Sequence, residues 1–230
     1  MALDLSNLPD VSGHTIGILG GTGDQGRGLA YRFARAGLAV RIGSRSAERG
    51  ATAARELAAL PGAVPGRLTG GDNGYAAGAD LVIVAVPWDG HAELVASLAE
   101  PLAGKVVVDC VNPLGFDKHG PYPLVVPEGS AAQQAAALLP ESRVCGAFHH
   151  VSAALLADPA VHRIELDVLV LGDDRAAVAQ VQALAGHIPD LRGLHAGRLR
   201  NAGQVEAMTA NLIAINKRYK AHAGIRVTDV

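Results

Sequence analysis

Cysteine and aromatic residues are scarce in this chain of 230 residues. The two cysteines, Cys110 and Cys145, form no C-x-x-C pair and are too few for a disulfide framework. Aromatic residues make up 3% of the chain, whereas glycine contributes 28 positions. So many small residues allow helices to lie close to a sheet, and the few large rings, Trp88 among them, are candidates to line a cleft.

The chain also lacks an excess of either charge and any long apolar run. Lys and Arg total 20 against 22 Asp and Glu, a net charge of −2, which disfavours nucleic-acid binding. The longest purely apolar run, residues 81–87, is far too short to span a bilayer. Residues 1–13 lack the basic and apolar regions of a secretory signal. We therefore expect a cytoplasmic protein with no nucleic-acid or membrane partner.

Short apolar runs alternate with Ala-rich segments of helical pattern. The runs do not alternate with polar residues, which is typical of strands buried on both faces. Strand–helix repetition predicts an α/β fold, a Rossmann-type doubly wound parallel sheet with helices on both sides. The predicted strands of this sheet are residues 14–19, 39–43, 80–85, 105–109 and 143–147.

The rhythm of the sequence changes after about residue 150. One further strand at 166–172 is followed by two helical segments, 173–187 and 201–221. We predict a Rossmann domain over 1–150 and a smaller C-terminal α/β domain over 151–230. Residues 112–129 are rich in proline and glycine and predict a long loop, which in a compact domain is often functional.

A glycine motif follows the first predicted strand and opens a helix. Gly21, Gly23 and Gly26 form G-x-G-x-x-G, which allows a tight turn, a close backbone approach to a pyrophosphate, and tight helix–strand packing. The helix N-terminus adds free N–H groups and a favourable dipole. An ordinary glycine-rich turn is the alternative, but the strand–helix context indicates dinucleotide binding.

The end of the second predicted strand indicates which dinucleotide binds. NAD-binding proteins usually carry Asp or Glu there, whereas this chain has Ser44 and Arg45, with Arg49 one turn later. Guanidinium groups form charge-assisted bonds to phosphate, so this set predicts NADP(H), with solvated surface arginines as the alternative. The Thr22 hydroxyl is a further candidate for the same ribose.

Three other segments converge on the edge where the nicotinamide would lie: 85–88, 112–113 and 149–153. No tyrosine is followed by lysine at the Tyr-x-x-x-Lys spacing, so the candidate proton donors are His149 and His150. These two could instead be one packed and one solvated histidine, or metal ligands with Cys145. His91 opens a predicted helix, where packing or capping competes with cofactor contact.

Four segments together resemble one known family. GILGGTGDQGRGLAYRFARAG, IGSRSAERG, AVPW and HHVSA are similar to the NADPH:deazaflavin oxidoreductases of archaea and actinobacteria. That family transfers hydride between NADP and coenzyme F420, an 8-hydroxy-5-deazaflavin. The resemblance runs from about residue 14 to the C-terminus.

The resemblance implies two sets of cofactor-binding residues and a cleft between the two domains. The implied NADP contacts are Thr22, Gly23, Asp24, Gln25, Ser44, Arg45, Arg49, Val86, His91, Asn112 and Ala153. The implied deazaflavin contacts are Pro87, Trp88, Pro113, His149 and Val151. It also implies no dedicated acid–base residue and no metal. Asp24 replaces a more usual Asn, and we expect it to cap the helix.

The function expected from these observations is reversible hydride transfer between NADP(H) and F420. An NADPH-dependent imine or carbonyl reductase, with His149 or His150 as the acid, is one alternative. A non-catalytic NADP(H)-sensing protein is another. The last helix carries Leu212, Ile213 and Ile215 on more than one face, which favours a homodimer.

Overall fold

The computed structural model describes residues 7–230, and eight of its strands form one sheet. The strands are β1 (Thr15–Leu19), β2 (Ala39–Ser44), β3 (Leu68–Asp72), β4 (Leu81–Val84), β5 (Val106–Asp109), β6 (Leu114–Asp117), β7 (Gly120–Pro123), β8 (Arg143–Gly146), β9 (Leu166–Gly172) and β10 (Leu191–His195). The helices are α1 (Asp24–Arg35), α2 (Ala47–Ala58), α3 (Asn73–Ala77), α4 (His91–Ser97), α5 (Ala99–Leu102), α6 (Ala131–Leu138), α7 (Ala153–Ala157), α8 (Arg175–Ala185) and α9 (Ala202–Tyr219). A 3₁₀ turn, Leu199–Asn201, precedes α9.

The sheet has the order β10-β9-β8-β5-β4-β1-β2-β3. Its strands from β8 to β3 are parallel, and the central strands β4 and β5 are buried along their whole length. The predicted Rossmann-type α/β fold is therefore confirmed. Because these parallel strands all end at one edge of the sheet, the loops that follow them meet there.

The C-terminal strands continue this sheet. β9 runs antiparallel to β8 through two residue pairs, Cys145 with Gly172 and Gly146 with Leu171, and β10 pairs parallel to β9. The predicted division into 1–150 and 151–230 stays a prediction.

Several elements differ from those expected from the sequence. The segment 112–129, expected to be a loop, contains the antiparallel hairpin β6–β7. The predicted helix that His91 opens is short, ending at Ser97, and is followed by the second short helix α5. Strands β3 and β10 and helix α6 lie in segments where no element was predicted.

Helix α1 packs tightly against α7. A methyl group at Gly28 would lie 2.5 Å from Leu156 Cβ, so only glycine permits this approach. The Arg32 side chain, 3% exposed, donates hydrogen bonds to the carbonyl oxygens of Leu155, Leu156 (2.8 Å), Asp158 (2.9 Å) and Val161 (2.5 Å). One guanidinium on α1 therefore holds α7 and the chain that follows it.

No helix within residues 7–230 combines the length and apolar character needed to cross a bilayer.

Candidate functional site

The phosphate loop connects β1 to α1 at the carboxyl edge of the sheet. Gly20 has φ +69°, and the Gly21 N–H donates to the Gly43 carbonyl at 2.9 Å, which ties the loop to the end of β2. A Cβ on Gly26 would lie 2.7 Å from Gly21 Cα, so this glycine allows the helix to sit directly on the loop. The glycine motif thus lies in the strand–turn–helix context that pyrophosphate binding requires.

The predicted capping role of Asp24 is wrong. Helix α1 begins at Asp24, its N-cap residue is Gly23, and no side chain caps it by a hydrogen bond. Asp24 is exposed, in the first turn of the helix.

A cleft of about 540 Å³ lies beside this loop. At one end are Ser44, which is buried, and Arg45 and Arg49, which are both exposed at the start of α2. Its other lining residues are Gly20, Thr22, Gly23, Asn73, Ala85, Val86, Pro87, Asp89, Gly90, Glu93, Leu94 and Ser97. The structure therefore brings the predicted selectivity residues and the phosphate loop into one cavity.

Asn73 is a lining residue that the sequence analysis missed. Its Oδ1 accepts the Gly20 N–H at 3.1 Å, so the first residue of α3 holds the start of the phosphate loop. The turn sequence Asp72-Asn73-Gly74 is the signal that could have drawn attention to it. Asp72 caps α3 by accepting the Tyr75 N–H at 2.7 Å.

Replacement with alanine is expected to have different effects at Gly23 and at Gly26, the last two glycines of the motif. Gly26→Ala should lower the free energy of unfolding by about 1–3 kcal/mol, because its methyl group meets backbone. Gly23→Ala should change stability by no more than about 0.5 kcal/mol, because the nearest atom is 3.6 Å away and φ is −80°. It should nevertheless weaken NADPH binding about tenfold, by displacing one phosphate hydrogen bond.

Urea denaturation and NADPH titration of both variants provide the measurement. Equal loss of stability in the two variants would contradict the assignment of separate packing and binding roles.

A second cavity of about 310 Å³ adjoins the first. The two share Gly23 and the segment Ala85–Val86–Pro87. Beyond this shared wall, the second cavity is lined by Asp24, Gln25, Trp88, Cys110, Val111, Asn112 and His149. The cleft therefore has two adjoining halves, and the shared segment lies at the junction.

The loop after β8 carries His149 into this second half. Phe148 is fully buried and has φ +63°, an uncommon conformation for a non-glycine residue. The loop is held by two side chains, since Gln25 Nε2 donates to the Phe148 carbonyl (3.2 Å) and Asn112 Nδ2 donates to the His149 carbonyl (2.9 Å). Thr209 of α9 donates to Asn112 Oδ1 at 3.3 Å, which adds a residue that the sequence analysis missed.

Both histidines of this loop are buried, each 4% exposed, so the expectation of one solvated histidine is wrong. Burial lowers the pKa of His149 and that of His150 to about 4. Neither ring nitrogen of His149 has a hydrogen-bond partner within residues 7–230. The neutral His149 side chain therefore lines the second half of the cleft, while both of its ring nitrogens are buried.

Four predicted cofactor residues do not line either half. Pro113 and Val151 are buried, Val151 within the hydrophobic core, and Ala153 begins α7. The His91 side chain is fully buried, with Nε2 bonded to Asp109 (2.6 Å) and Nδ1 to Gln134 (3.0 Å). Cofactor contacts at these four positions stay predictions.

Residues 7–230 contain no group of three or more His, Cys, Asp or Glu side chains arranged as a metal site. Cys110 and Cys145 are both buried and unpaired. Burial raises the pKa of the Cys145 thiol to about 12, so this side chain carries no thiolate at neutral pH.

Comparison with known proteins identifies the family. A model of the family described as NADP oxidoreductase, coenzyme F420-dependent, matches residues 15–113. The F420-dependent NADP reductase of Methanothermobacter thermautotrophicus is 38% identical over 221 residues, covering 94% of this chain and 95% of that protein. This chain belongs to the F420-dependent NADP reductase family.

Further relatives of this family extend the likeness to the whole fold. The F420-dependent NADP reductase of Methanocaldococcus jannaschii is 38% identical over 223 residues, covering 94% of this chain and 98% of that protein. The crystal structure of a proposed F420-dependent NADP reductase from Arthrobacter sp. FB24 superposes with a TM-score of 0.74 at 28% identity. The superposition covers 94% of this chain and 100% of the Arthrobacter chain.

Proposed function

We propose that this protein transfers a hydride reversibly between NADP(H) and coenzyme F420. The observation that carries the proposal is the two-part cleft, in which a phosphate loop and two arginines occupy one half and Trp88 and His149 line the other. The short wall shared by the halves is where two bound ring systems would meet. Membership of the F420-dependent NADP reductase family supports the same reaction.

We assign NADP(H) to the half with the arginines. The first turn of α1 offers N–H groups without helical partners to the pyrophosphate, and the loop glycines allow the backbone to approach it. Ser44 supplies a hydroxyl for the 2′-phosphate, while Arg45 and Arg49 supply charge-assisted donors. No carboxylate stands at the end of β2 to repel that group, since the strand ends Ile42-Gly43-Ser44.

We assign the deazaflavin to the half lined by Pro87, Trp88, Asn112 and His149. The deazaflavin itself supplies a ring carbon that accepts or releases hydride, so the chain need only hold two rings in contact. Trp88 and Pro87 offer apolar faces, and the neutral His149 side chain completes the lining of this half. Proximity and exclusion of water at this junction are what the protein contributes to the rate.

The cleft does not favour reduction of a free carbonyl or imine. Such a reaction needs a group that releases a proton near neutral pH. With a pKa of about 4, neither His149 nor His150 is protonated at pH 7. Hydride transfer to a deazaflavin needs no such donor on the chain.

Stopped-flow mixing of the protein with reduced F420 and NADP tests the proposed reaction. We expect the absorbance of oxidised F420 and that of NADPH to appear together, at equal rates and in equal amounts. Replacing NADP with NAD in the same experiment should give a much slower reaction. Binding of both ligands without any absorbance change would instead support a sensing role and overturn the proposal.

We further propose that the protein acts in the cytoplasm as a homodimer, and that residues after 150 form a smaller domain that completes the cleft by holding Asn112 through Thr209. Large apolar side chains are exposed on the β6–β7 hairpin, just after it and on the end of α9, and strand β7 contacts α9. They are Phe116, Tyr122, Val125, Ile215 and Tyr219. A surface of this composition is typical of one that packs against a second copy of the same chain.

A further inference from the structure

Behind the wall of the cleft lies a buried polar cluster that the proposed reaction does not use. It consists of His91, Asp109, Gln134 and Glu206, from four different parts of the fold. His91 and Asp109 are both fully buried, and their Nε2 and Oδ2 atoms are 2.6 Å apart. Buried charged side chains are costly unless paired, so the protonation state of this cluster matters for the fold around it.

The hydrogen-bond partners of His91 indicate that both ring nitrogens carry protons. Gln134 Nε2 donates to Glu128 Oε2 at 3.3 Å, which sets the orientation of the amide and turns Oε1 towards His91 Nδ1. Asp109 presents a carboxylate oxygen to Nε2, while its other oxygen accepts the Val111 N–H at 3.0 Å. An imidazole facing an acceptor at each nitrogen donates to both only as the cation.

His91 is also joined to Trp88. The two rings stack, with centroids 5.4 Å apart and planes inclined by 27°. The His91 N–H donates to the Trp88 carbonyl at 3.0 Å, across a turn that Gly90 permits with φ +90°. Trp88 lines the cleft on its other side. The position of Trp88 therefore depends on His91 through both the backbone and the ring.

We propose that His91 and Asp109 form a buried imidazolium–carboxylate pair that positions Trp88 as the wall of the second half of the cleft. His91 acts through Trp88 and is a positioning residue rather than a catalytic one. The proposal deepens the function given above, because Trp88 lies in the half assigned to the deazaflavin. A cation stacked on an indole adds a cation–π attraction to the packing of the two rings.

The charges around His91 agree with this assignment. Burial alone would lower the pKa of His91, but the hydrogen bond and charge of Asp109 outweigh it and raise that pKa, with further help from Gln134 and Glu206. Glu206 of α9 accepts the N–H groups of Ala131 (2.9 Å) and Ala132 (3.1 Å). Burial nevertheless raises the pKa of Glu206 to about 7.

Three other titratable groups face the cluster. One is the buried thiol of Cys110, next to Asp109, whose pKa is raised by burial so that it stays neutral at pH 7. Burial keeps His149 neutral at pH 7, so it adds no opposing charge to the pair. Glu128, which is exposed, accepts a hydrogen bond from Gln134 Nε2, whereas Gln134 Oε1 faces His91.

Nitrogen-15 NMR of the full-length protein, labelled at histidine, tests the protonation state directly. At about pH 7, where an ordinary histidine is mostly neutral, we expect one imidazole with both nitrogens protonated. His91→Gln should remove that signal, and Asp109→Asn should convert it to that of a neutral ring. A neutral His91 in the unmodified protein at pH 7 would overturn the proposal.

Fluorescence tests the link to the cleft wall, because Trp88 is the single tryptophan of the chain. A protonated imidazole in contact with an indole quenches its emission. We expect weak emission that rises at a pH above the titration midpoint of an ordinary histidine. Asp109→Asn should move the midpoint of that rise down by about 1–3 pH units, because the opposing charge is lost.

Asp167→Asn is the matched control, since Asp167 is also fully buried but pairs with Arg192, on the adjoining strand β10. It should leave the fluorescence midpoint unchanged. An equal shift in both variants, or no shift in Asp109→Asn, would refute the positioning role. Both readouts are independent of turnover, so they remain decisive even if F420 proves not to be the substrate.

Discussion

Replacement of Arg45 with alanine is expected to weaken NADPH binding by about 10- to 100-fold and to leave NADH binding nearly unchanged. Arg45 lines the end of the cleft beside Ser44, and we assign its guanidinium to the 2′-phosphate. NADH lacks that phosphate, so it loses nothing when the guanidinium is removed. Calorimetric titration of the variant with each nucleotide measures the two affinities.

Arg55→Ala is the matched control for this result. Arg55 is an exposed arginine of α2, the helix that follows Arg45, but it bonds to Thr52 (2.9 Å) and does not line the cleft. Its replacement should change neither affinity. Arg49→Ala should act in the same direction as Arg45→Ala. If Arg45→Ala weakened both nucleotides equally, the arginine would serve general attraction of anions rather than selection of the 2′-phosphate.

Replacement of Arg32 with alanine is expected to lower the free energy of unfolding by about 3–5 kcal/mol. Four carbonyl oxygens around α7 accept hydrogen bonds from this buried guanidinium. Alanine leaves the buried Leu156 carbonyl and three partly buried carbonyls without this donor, and it also leaves a cavity beneath α7. Urea denaturation monitored by circular dichroism gives the change.

Two further variants distinguish the effect of the four hydrogen bonds of Arg32 from the effect of its positive charge alone. Arg27→Ala removes an arginine of the same helix that forms a partly exposed ion pair with Glu56 at 2.9 Å, and it should cost no more than about 1 kcal/mol. Arg32→Lys retains the charge, but its single ammonium cannot reach four acceptors, so it should recover only part of the loss. A loss in Arg32→Ala no larger than that in Arg27→Ala would show that the carbonyls find other donors.

The parts of the fold that were predictable from the sequence are those in which local pattern and burial agree. β4 and β5 are continuous apolar runs, and both are central strands buried on each face. β3 (LTGGD) and β10 (LRGLH) were not recognised, because glycine and polar residues interrupt their apolar positions. Both are edge strands, where one side of the strand needs no sheet partner and the apolar pattern is weaker.

The residues of the candidate site also divide into those that were predictable from the sequence and those that were not. The glycine motif, Ser44 and Arg45 were recognisable because their roles depend on spacing within one strand–turn–helix unit. Asn73 was missed, since it reaches Gly20 from 53 residues away through the folding of β3 and α3. The pairing of His91 with Asp109 was equally hidden, because it depends on how the start of α4 packs beside the end of β5.

The segment Ala85–Val86–Pro87, which borders both halves of the cleft, has a consequence for the order of events during turnover. Because the two halves meet at this segment, both ligands must be bound at the same time for their rings to come into contact. Under the proposed reaction the kinetics are those of a ternary complex. Initial-rate lines for the two substrates in double-reciprocal plots should then intersect, rather than run parallel as in a ping-pong scheme.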